Sequence, residues 1–419
     1  MDTIQKEIKA SYDFLFDHLN NDPTSPGYGL VSDSTIRPEM ASIASVGFAL
    51  SAWIIGVKQG WMTYEEMRQI VKGTLMTFRD RVPHYKGLFV HFVERSTANR
   101  FRNSEYSTID STLFFNGALA ATAFLEDLEC HQLLDMLLDR IDWEAYIFEY
   151  IGKPTFRMAY NPTIGGAYRE HSKDPWIYHW HMTAEQLTMY ILYASSLNAN
   201  PQLANELYLG FERKLGTYKD LEYLYSPSNG LFVYQYSHAW IDFSTYRAPD
   251  VDWFDNSRKA TLGNFRWCVD HQEEFSTLSE HMWGLTACLT KQGYRPQGVQ
   301  PTDLPNGEHE CMNVFPPSGV AGSAPFAKEL VFSTLEWVEQ HHPKAFGAYG
   351  FVDGIEKNQD GSYWYCPDYI GINKGITLLM LDNALNKTTW TYYHKHPRVI
   401  KALQVLHFLK WEELHHGID

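Results

Sequence analysis

The sequence predicts an all-α fold, an (α/α)6 barrel (a toroid) with long loops that form a cleft at one end. Three observations support this prediction. Helical periodicity recurs along the chain in about eleven segments. Segments that are apolar on almost every face alternate with amphipathic ones, as expected for an inner and an outer ring of helices. Long loops separate several of these segments, and we expect residues 1–419 to form a single domain.

Local signals place the individual helices. Ile8, Tyr12 and Leu15 recur at helical spacing in the first segment, and Thr63 with Glu66 has the spacing of a capping box. The predicted helices span residues 5–20, 41–60, 63–82, 107–126, 131–141, 183–197, 201–215, 276–290, 324–342, 375–393 and 397–410.

Two long loops are expected between these helices, over residues 143–182 and 216–273. The second contains "LFVYQYSHAWIDF", whose alternation is typical of a β-strand. Loops of this length in a compact fold are usually functional.

Composition limits the possible partners. The net charge of -15 argues against nucleic acid and anionic membranes, which both need basic patches. The 13 Trp, 26 Tyr and 24 Phe suit either a carbohydrate cleft or a large aromatic core. The five Cys are odd in number and form no CxxC, so we expect reduced thiols, with no metal and no cofactor. Oligomeric state cannot be inferred from these features.

The N-terminal segment bears on location. "MDTIQKEIKASYDFLFDHLN" is charged and amphipathic and lacks the pattern of a signal peptide. The expectation is a cytoplasmic protein, although a trimmed secreted chain would look the same. The uncharged run 40–57 is long enough to raise a transmembrane question, but its Ser and Gly residues favour a buried inner helix.

Glu185 is the first candidate for chemistry. It lies at the start of an apolar helix, after "DPWIYHWHMTA". A carboxyl group that is desolvated by aromatic residues has a raised pKa, as a general acid requires near neutral pH. A helix-capping role is the alternative. His179 and His181 with Glu185 form a weaker candidate for a metal site.

Asp110 is the second candidate. In "FRNSEYSTIDSTLFFNGAL", Glu105 and Asp110 precede or enter a helix that is apolar on nearly every face. A charge in that position is costly unless it is paired or faces a cavity. Asp110 is therefore either a substrate contact or a buried carboxylate held by the hydroxyl groups of Ser107 and Thr108.

The chain contains no GxSxG motif, no P-loop and no Rossmann glycine pattern. Its many carboxylates among aromatic residues suit glycosidic bond cleavage, which usually needs one carboxylic acid and a second carboxylate.

Several segments together resemble the bacterial glycoamylase-like domain family, which includes the β-1,2-glucanases of glycoside hydrolase family 144 and their relatives. The matching segments include "SIASVGFALSAWIIGVKQGW", "YKGLFVHFV", "SEYSTIDSTLFFNGAL", "QYSHAWIDF", "DNSRKAT", "WGLTA", "PFAKE", "GAYGFVDG" and "DYIGINKGITLLMLDN". The resemblance implies an (α/α)6 barrel that acts on β-1,2-linked glucans such as sophoro-oligosaccharides.

The resemblance carries over to residues only in part. It implies that Glu185 is the general acid and that Trp180 and Asp110 belong to the site. The family's second catalytic Asp corresponds to Asn373 here, and Lys374 replaces a Gln. Some relatives carry a Glu at the position of Ala287.

The expected function is hydrolysis of β-linked glucans, with an oligosaccharide or polysaccharide as substrate. Transglycosylation, and binding without cleavage because of Asn373, are the alternatives. The expected catalytic residues are Glu185, Asp110 and Asp368, with Glu280 and Asp353 as other candidates for the second carboxylate. The expected substrate-binding residues are Trp180, His238, Trp240, Asp242, Arg258, Glu280, Trp283, Asn373 and Lys374.

Overall fold

The computed structural model describes residues 2–163, 174–227, 230–299, 301 and 310–410. The helices in these ranges are α1 Thr3–Asp17, α2 Ile43–Lys58, α3 Tyr64–Asp80, α4 Thr108–Leu125, α5 Leu128–Asp139, α6 Leu187–Ala194, α7 Pro201–Tyr208, α8 Trp253–Asp270, α9 Pro317–Ala321, α10 Lys328–His341, α11 Gly371–Leu385, α12 Thr388–Tyr393 and α13 Pro397–Val405. Short 3-10 helices span Trp143–Tyr146, Leu231–Tyr234, Tyr236–Ala239 and Pro343–Ala345.

Short strands in the loops pair into antiparallel sheets, of which the largest joins β5, β6 and β8 to β7. The strands are β1 Met40–Ser42, β2 His84–Tyr85, β3 Leu88–Phe89, β4 Phe92–Glu94, β5 Tyr106–Ser107, β6 Ile147–Tyr150, β7 Lys153–Tyr160, β8 Trp176–His179, β9 Leu215–Tyr218, β10 Leu221–Leu224, β11 Tyr246–Arg247, β12 Cys288–Thr290, β13 Gly293–Arg295, β14 Phe346–Gly347, β15 Gly350–Phe351, β16 Ile355–Lys357, β17 Tyr363–Tyr365 and β18 Leu409–Lys410.

The helices form two concentric rings. Neighbours in the inner ring are α2, α4, α6, the 3-10 helices over 231–239, α9 and α11, and α11 returns to α2. Every residue of α6 and α9 is buried, whereas the outer helix α3 buries one face only. The outer partners, each preceding its inner helix in the chain, are α1, α3, α5, α7, α8 and α10. The predicted (α/α)6 barrel is confirmed.

The inner helices α2 and α4 meet backbone to backbone. A Cβ atom added at Gly117 would lie 1.9 Å from the carbonyl oxygen of Gly47, and one added at Gly47 would lie 2.2 Å from the carbonyl oxygen of Leu113. Both distances are far below van der Waals contact, so no side chain fits at this crossing.

The helix predicted over residues 276–290 is wrong. Gly284 has a φ of +91°, and the Asn264 side chain accepts hydrogen bonds from the backbone of Gly284 and Leu285. These bonds let an apolar segment be buried without forming a helix. The helix of this region is α8, which lies inside the predicted loop over 216–273, and its buried face includes many small and polar residues that give a weak apolar pattern.

Two other predictions also fail. The strand-like alternation in "LFVYQYSHAWIDF" belongs to the 3-10 helices of the inner ring, where nearly every side chain is buried and periodicity does not distinguish strand from helix. The helix predicted over 375–393 is split into α11 and α12, because Lys387 between them has a φ of +55°.

The run over 40–57 forms most of the inner helix α2. Among the helices described above, none combines the length and the apolarity needed to cross a membrane. The cytoplasmic location stays a prediction.

The α2–α4 crossing gives a test of packing. We expect Gly117→Ala to lower the free energy of unfolding by roughly 1–3 kcal/mol, the usual cost of overpacking, or more, because the new methyl group would meet rigid backbone. Gly60→Ala is the control: Gly60 has a φ of +73°, but an added Cβ meets nothing within 4 Å. Urea denaturation of both variants separates crowding from backbone strain, and equal losses would contradict the prediction.

Candidate active site

The inner helices begin at one end of the barrel, and the loops that precede them gather carboxylates there. Asp33, Asp110, Glu185 and Asp353 come from four different loops or helix starts. Electrostatic interactions link Glu185 to Asp110, Asp110 to Asp33, and Asp33 to Asp353. Helix N-termini carry partial positive charge and favour anions. We call these four residues the carboxylate cluster.

His91 joins two carboxylates at one side of this cluster. Its Nδ1 atom lies 2.7 Å from Oε1 of Glu105, and its Nε2 atom lies 3.3 Å from Oδ1 of Asp110. Burial lowers the pKa of His91, but Asp110, Glu105 and Asp33 outweigh it and raise the pKa to about 9. The imidazole is therefore a cation at neutral pH, and both of its N–H groups face carboxylates.

Asp110 occupies the first turn of α4. Ser107 is the N-cap residue, and its hydroxyl group donates to Oδ2 of Asp110 at 2.5 Å. The alternative of a carboxylate held by Ser107 therefore applies in part, while the bond to His91 directs the other oxygen toward the cluster. Thr108 instead donates to the backbone of β7.

Glu185 lies two residues before α6 and is half-buried. Burial, with a smaller contribution from the negative charge of Asp110, raises the pKa of its carboxyl group to about 7. A carboxylic acid in this state keeps its proton close to neutral pH and can donate it. This arrangement agrees with the desolvation expected from the sequence. The capping role is not supported, because Glu185 precedes Gln186, the N-cap residue of α6.

Asn373, in the first turn of α11, contacts a carboxylate directly. Its Nδ2 atom donates to Oδ1 of Asp353 at 2.7 Å and lies 3.4 Å from the carbonyl oxygen of Ala287. The backbone N–H of Leu289 donates to Oδ2 of Asp353 at 2.6 Å. These two hydrogen bonds lower the pKa of Asp353, but burial has the larger effect and raises it to about 6.

Lys374 forms a buried ion pair and not an open binding group. Its Nζ atom lies 2.5 Å from Oε1 of Glu7 in α1, and the two side chains are 5% and 1% exposed. The pair also forms hydrogen bonds with both backbone groups of Phe351. Lys374 donates to the carbonyl oxygen of Phe351, and the N–H of Phe351 donates to Glu7. The predicted contact between Lys374 and substrate is therefore not supported.

The tryptophans proposed as sugar platforms are core residues. Trp240 and Trp283 are 0% exposed, and their indole N–H groups donate to Ser51 and Thr334. A ring that is covered on both faces cannot stack on a sugar, so this prediction is wrong for both.

Trp180 is also buried, and its indole N–H donates to Oγ1 of Thr108. Because Thr108 begins α4, Trp180 supports the helix turn that carries Asp110 and offers no open face for stacking.

The proposed hydroxyl donors lie elsewhere. His238 is buried at the end of the inner 3-10 helices and hydrogen-bonds with Ser257, and burial lowers its pKa to about 3. Arg258 pairs with Asp255 in the first turns of α8, on the outer ring. Neither side chain is brought to the carboxylate cluster, so these predictions are not supported.

Three predicted carboxylates also lie outside the cluster. The carboxylate of Asp242 accepts hydrogen bonds from the hydroxyl groups of Ser244 and Thr245, which follow it closely in the chain. Glu280 has a side chain that is 72% exposed. Asp368 is half-buried, and its Oδ1 atom accepts from Thr35 at 2.8 Å. Its catalytic role stays a prediction.

The candidate metal ligands His179 and His181 pack against each other and against Tyr150, with ring centres 4.5–5.0 Å apart. Within the parts of the chain that the structure describes, no group of three or more His, Cys, Asp or Glu side chains is arranged to hold a metal ion.

Sequence reasoning missed Asp33 and His91. Asp33 is half-buried in the loop before β1, and burial raises its pKa to about 6. His91 lies in the quoted segment "YKGLFVHFV", where a lone polar side chain between apolar residues was the available signal.

A barrel of inner and outer helices with carboxylates at one end defines an (α/α)6-barrel protein. The chain belongs to the Glycoamylase family, whose description is "Putative glucoamylase" and whose model matches residues 177–397.

Individual proteins of known function or structure are also similar to this chain. An exo β-1,2-glucooligosaccharide sophorohydrolase (non-reducing end) from Parabacteroides distasonis is 22% identical over 92% of this chain. This chain spans 56% of that relative's length, about half. Among solved structures, an endo-β-1,2-glucanase from Chitinophaga pinensis, in complex with sophorotriose and glucose, has a TM-score of 0.80 at 18% identity and covers 96% of this chain and 97% of its own. A β-1,2-glucanase from Parabacteroides distasonis has a TM-score of 0.78 at 19% identity and covers 97% and 60%. At these identities the solved structures establish the fold alone.

The charge of His91 gives a prediction about stability. The pKa of His91 rises from 6.5 to about 9 on folding. The protonated ring therefore stabilises the folded state fully below pH 6.5, and this stabilisation is lost as pH rises through 9. Between those pH values the free energy of unfolding should fall by about 3 kcal/mol more in the wild type than in His91→Gln.

Urea denaturation at several pH values measures this difference, and His407→Gln, at an exposed position, is the control. Parallel pH curves for the wild type and His91→Gln would contradict the prediction.

Proposed function

We propose that the chain is a glycoside hydrolase that cleaves β-1,2-linked gluco-oligosaccharides, with Glu185 as the general acid. The observation that carries the proposal is the environment of Glu185: within the carboxylate cluster, burial raises its pKa to about 7. A protonated carboxyl group next to other carboxylates is the arrangement that glycosidic cleavage requires. The names of the related proteins supply the substrate class.

The chemistry follows from these groups. Glu185 donates its proton to the glycosidic oxygen as the bond to the anomeric carbon breaks. Asp110 is proposed to bind a sugar hydroxyl group, since His91 and Ser107 fix its two oxygens in position. The second carboxylate activates a water molecule. Asp368 is the residue proposed from sequence, while Asp353 is the one in contact with Asn373.

Because Asn373 replaces the second catalytic Asp of the family, transglycosylation and binding without cleavage are two alternative functions. A transglycosylase would pass the glycosyl group to another sugar, and a binding protein would hold the oligosaccharide without cleaving it. Product analysis separates the three, because transglycosylation gives longer oligosaccharides and binding alone gives no product.

Removing the acid tests the proposal. Glu185→Gln should lower kcat on β-1,2-gluco-oligosaccharides by about 10²–10⁴-fold, the usual contribution of a general acid, with little change in binding. Turnover is measured by reducing-sugar release and binding by calorimetry. The control is Glu206→Gln, an exposed residue of α7. An active Glu185→Gln variant, or a wild type that cleaves no β-1,2-, β-1,3- or α-glucan, would refute it.

The pH profile supplies a second test. Because Glu185 must be protonated and its pKa is about 7, kcat/KM should fall as pH rises above that value. A rate that stays constant up to pH 9 would exclude Glu185 as the acid.

A further inference from the structure

We propose that Asp353 is the second catalytic carboxylate and that it takes the proton of the attacking water, with Asn373 as its positioning residue. This inference rests on the proposed hydrolysis. It assigns to Asp353 the role that Asn373 itself cannot fill, since an amide does not accept a proton from water near neutral pH.

The contact between the two side chains sets the orientation of both. A carboxylate accepts hydrogen bonds, so the atom of Asn373 that lies 2.7 Å from Asp353 must be the donor Nδ2. The same Nδ2 group points to the carbonyl oxygen of Ala287 at 3.4 Å. Both of its hydrogens are thus directed at protein acceptors, and the Asn373 carbonyl oxygen is left as an acceptor for a water or a sugar hydroxyl group.

Asp353 has capacity for one more bond. Its Oδ1 accepts from Asn373 and its Oδ2 from the backbone of Leu289 at 2.6 Å. A carboxylate has about four lone-pair sites, so a bound water can still donate to it. Asp353 is 4% exposed, which suits a proton acceptor better than a nucleophile, because a nucleophile must contact the anomeric carbon itself.

The buried ion pair fixes the hairpin formed by β14 and β15, which Asp353 follows by two residues. Phe351, two residues before it, donates its N–H to Oε2 of Glu7 at 2.7 Å and accepts from Nζ of Lys374 at 3.3 Å. Lys374 also follows Asn373 directly in α11. One ion pair therefore holds the backbone of both partners in the Asp353–Asn373 contact.

The other candidates have different partners. Asp33 interacts with His91 and Asp110, close to the acid side of the cluster. Asp368 bonds Thr35. Tyr236, in the inner ring, interacts electrostatically with both Glu185 and Asp353, so these two carboxyl groups lie near the same inner-ring side chain.

The protonation states of the two groups are complementary. Burial raises the pKa of Asp353 to about 6, while Asn373, the N–H of Leu289 and the charge of Lys374 oppose that rise. The pKa of Glu185 is about 7. The order of the two pKa values favours the proton on Glu185 and the negative charge on Asp353. The other titratable groups that interact with Asp353 are Asp33, Tyr236, Cys288, Tyr294 and Cys366.

The step balances with water as the co-reactant. One O–H bond of water breaks, its proton goes to Asp353, and the water oxygen forms a bond to the anomeric carbon. The glycosidic C–O bond breaks, and its electron pair stays on the leaving oxygen, which takes the proton of Glu185. Exchange with solvent then restores both carboxyl groups.

The central experiment compares kcat, KM and oligosaccharide affinity in Asp353→Asn and the wild type. We expect kcat to fall at least about 100-fold, as for loss of a general base, while the dissociation constant changes less than about threefold. Asp360→Asn, in an exposed turn, is the matched control. A kcat within about fivefold of wild type, or a loss in Asp368→Asn or Asp33→Asn in its place, would overturn the assignment.

A second variant decides the question if Asp353→Asn does not fold, which circular dichroism reports. Asn373→Ala removes the hydrogen bond by which Asn373 lowers the pKa of Asp353. The acid limb of the kcat/KM profile should therefore move to higher pH. An unmoved limb would show that Asp353 is not the titrating group.

These outcomes are distinct from failure of the proposed function. If the wild type is active and Glu185→Gln is not, but Asp353→Asn retains turnover, the assignment of Asp353 alone is wrong. If the wild type cleaves no glucan, the hydrolase proposal fails and this inference fails with it.

Discussion

The ion pair between Glu7 and Lys374 is the interaction on which the site end of the barrel depends. It joins α1 to α11 in the interior and fixes the backbone of Phe351 between them. Two charges this deeply buried are costly to desolvate, and losing one partner leaves an unpaired charge worth about 3–5 kcal/mol. The start of α11 and the neighbouring hairpin are therefore tied to the first helix of the chain.

Burial and neighbouring charges together determine the pKa values in the carboxylate cluster. Burial is the larger effect at Glu185 and raises the pKa of its carboxyl group, and Asp110 acts in the same direction. At His91 three carboxylates outweigh burial, so the ring is charged. The charge of Asp110 therefore favours the protonated form both of Glu185 and of the half-buried His91.

Local patterns in the sequence predicted most of the helices and singled out three of the four residues of the cluster, with Asp353 only as one of several alternatives. Glu185 and Asp110 stand at the starts of apolar helices, where a charge is conspicuous in any window of the sequence. The roles given to Trp240 and Trp283 failed because the pattern does not distinguish a ring in the core from a ring in the cleft. The contacts of His91 and of Asp353 join residues of different elements that are too distant for helix or strand periodicity, so no local pattern encodes them.

The balance of charges in the cleft also determines which ligands it favours. His91 is a cation, but it is outnumbered by the surrounding carboxylates, and Lys374 is already neutralised by Glu7. A neutral sugar does not respond to this net negative field, whereas the oxocarbenium-like transition state of glycosidic cleavage is stabilised by it. A sugar analogue with a protonated ring nitrogen would gain from the same field, and a phosphorylated sugar would be repelled.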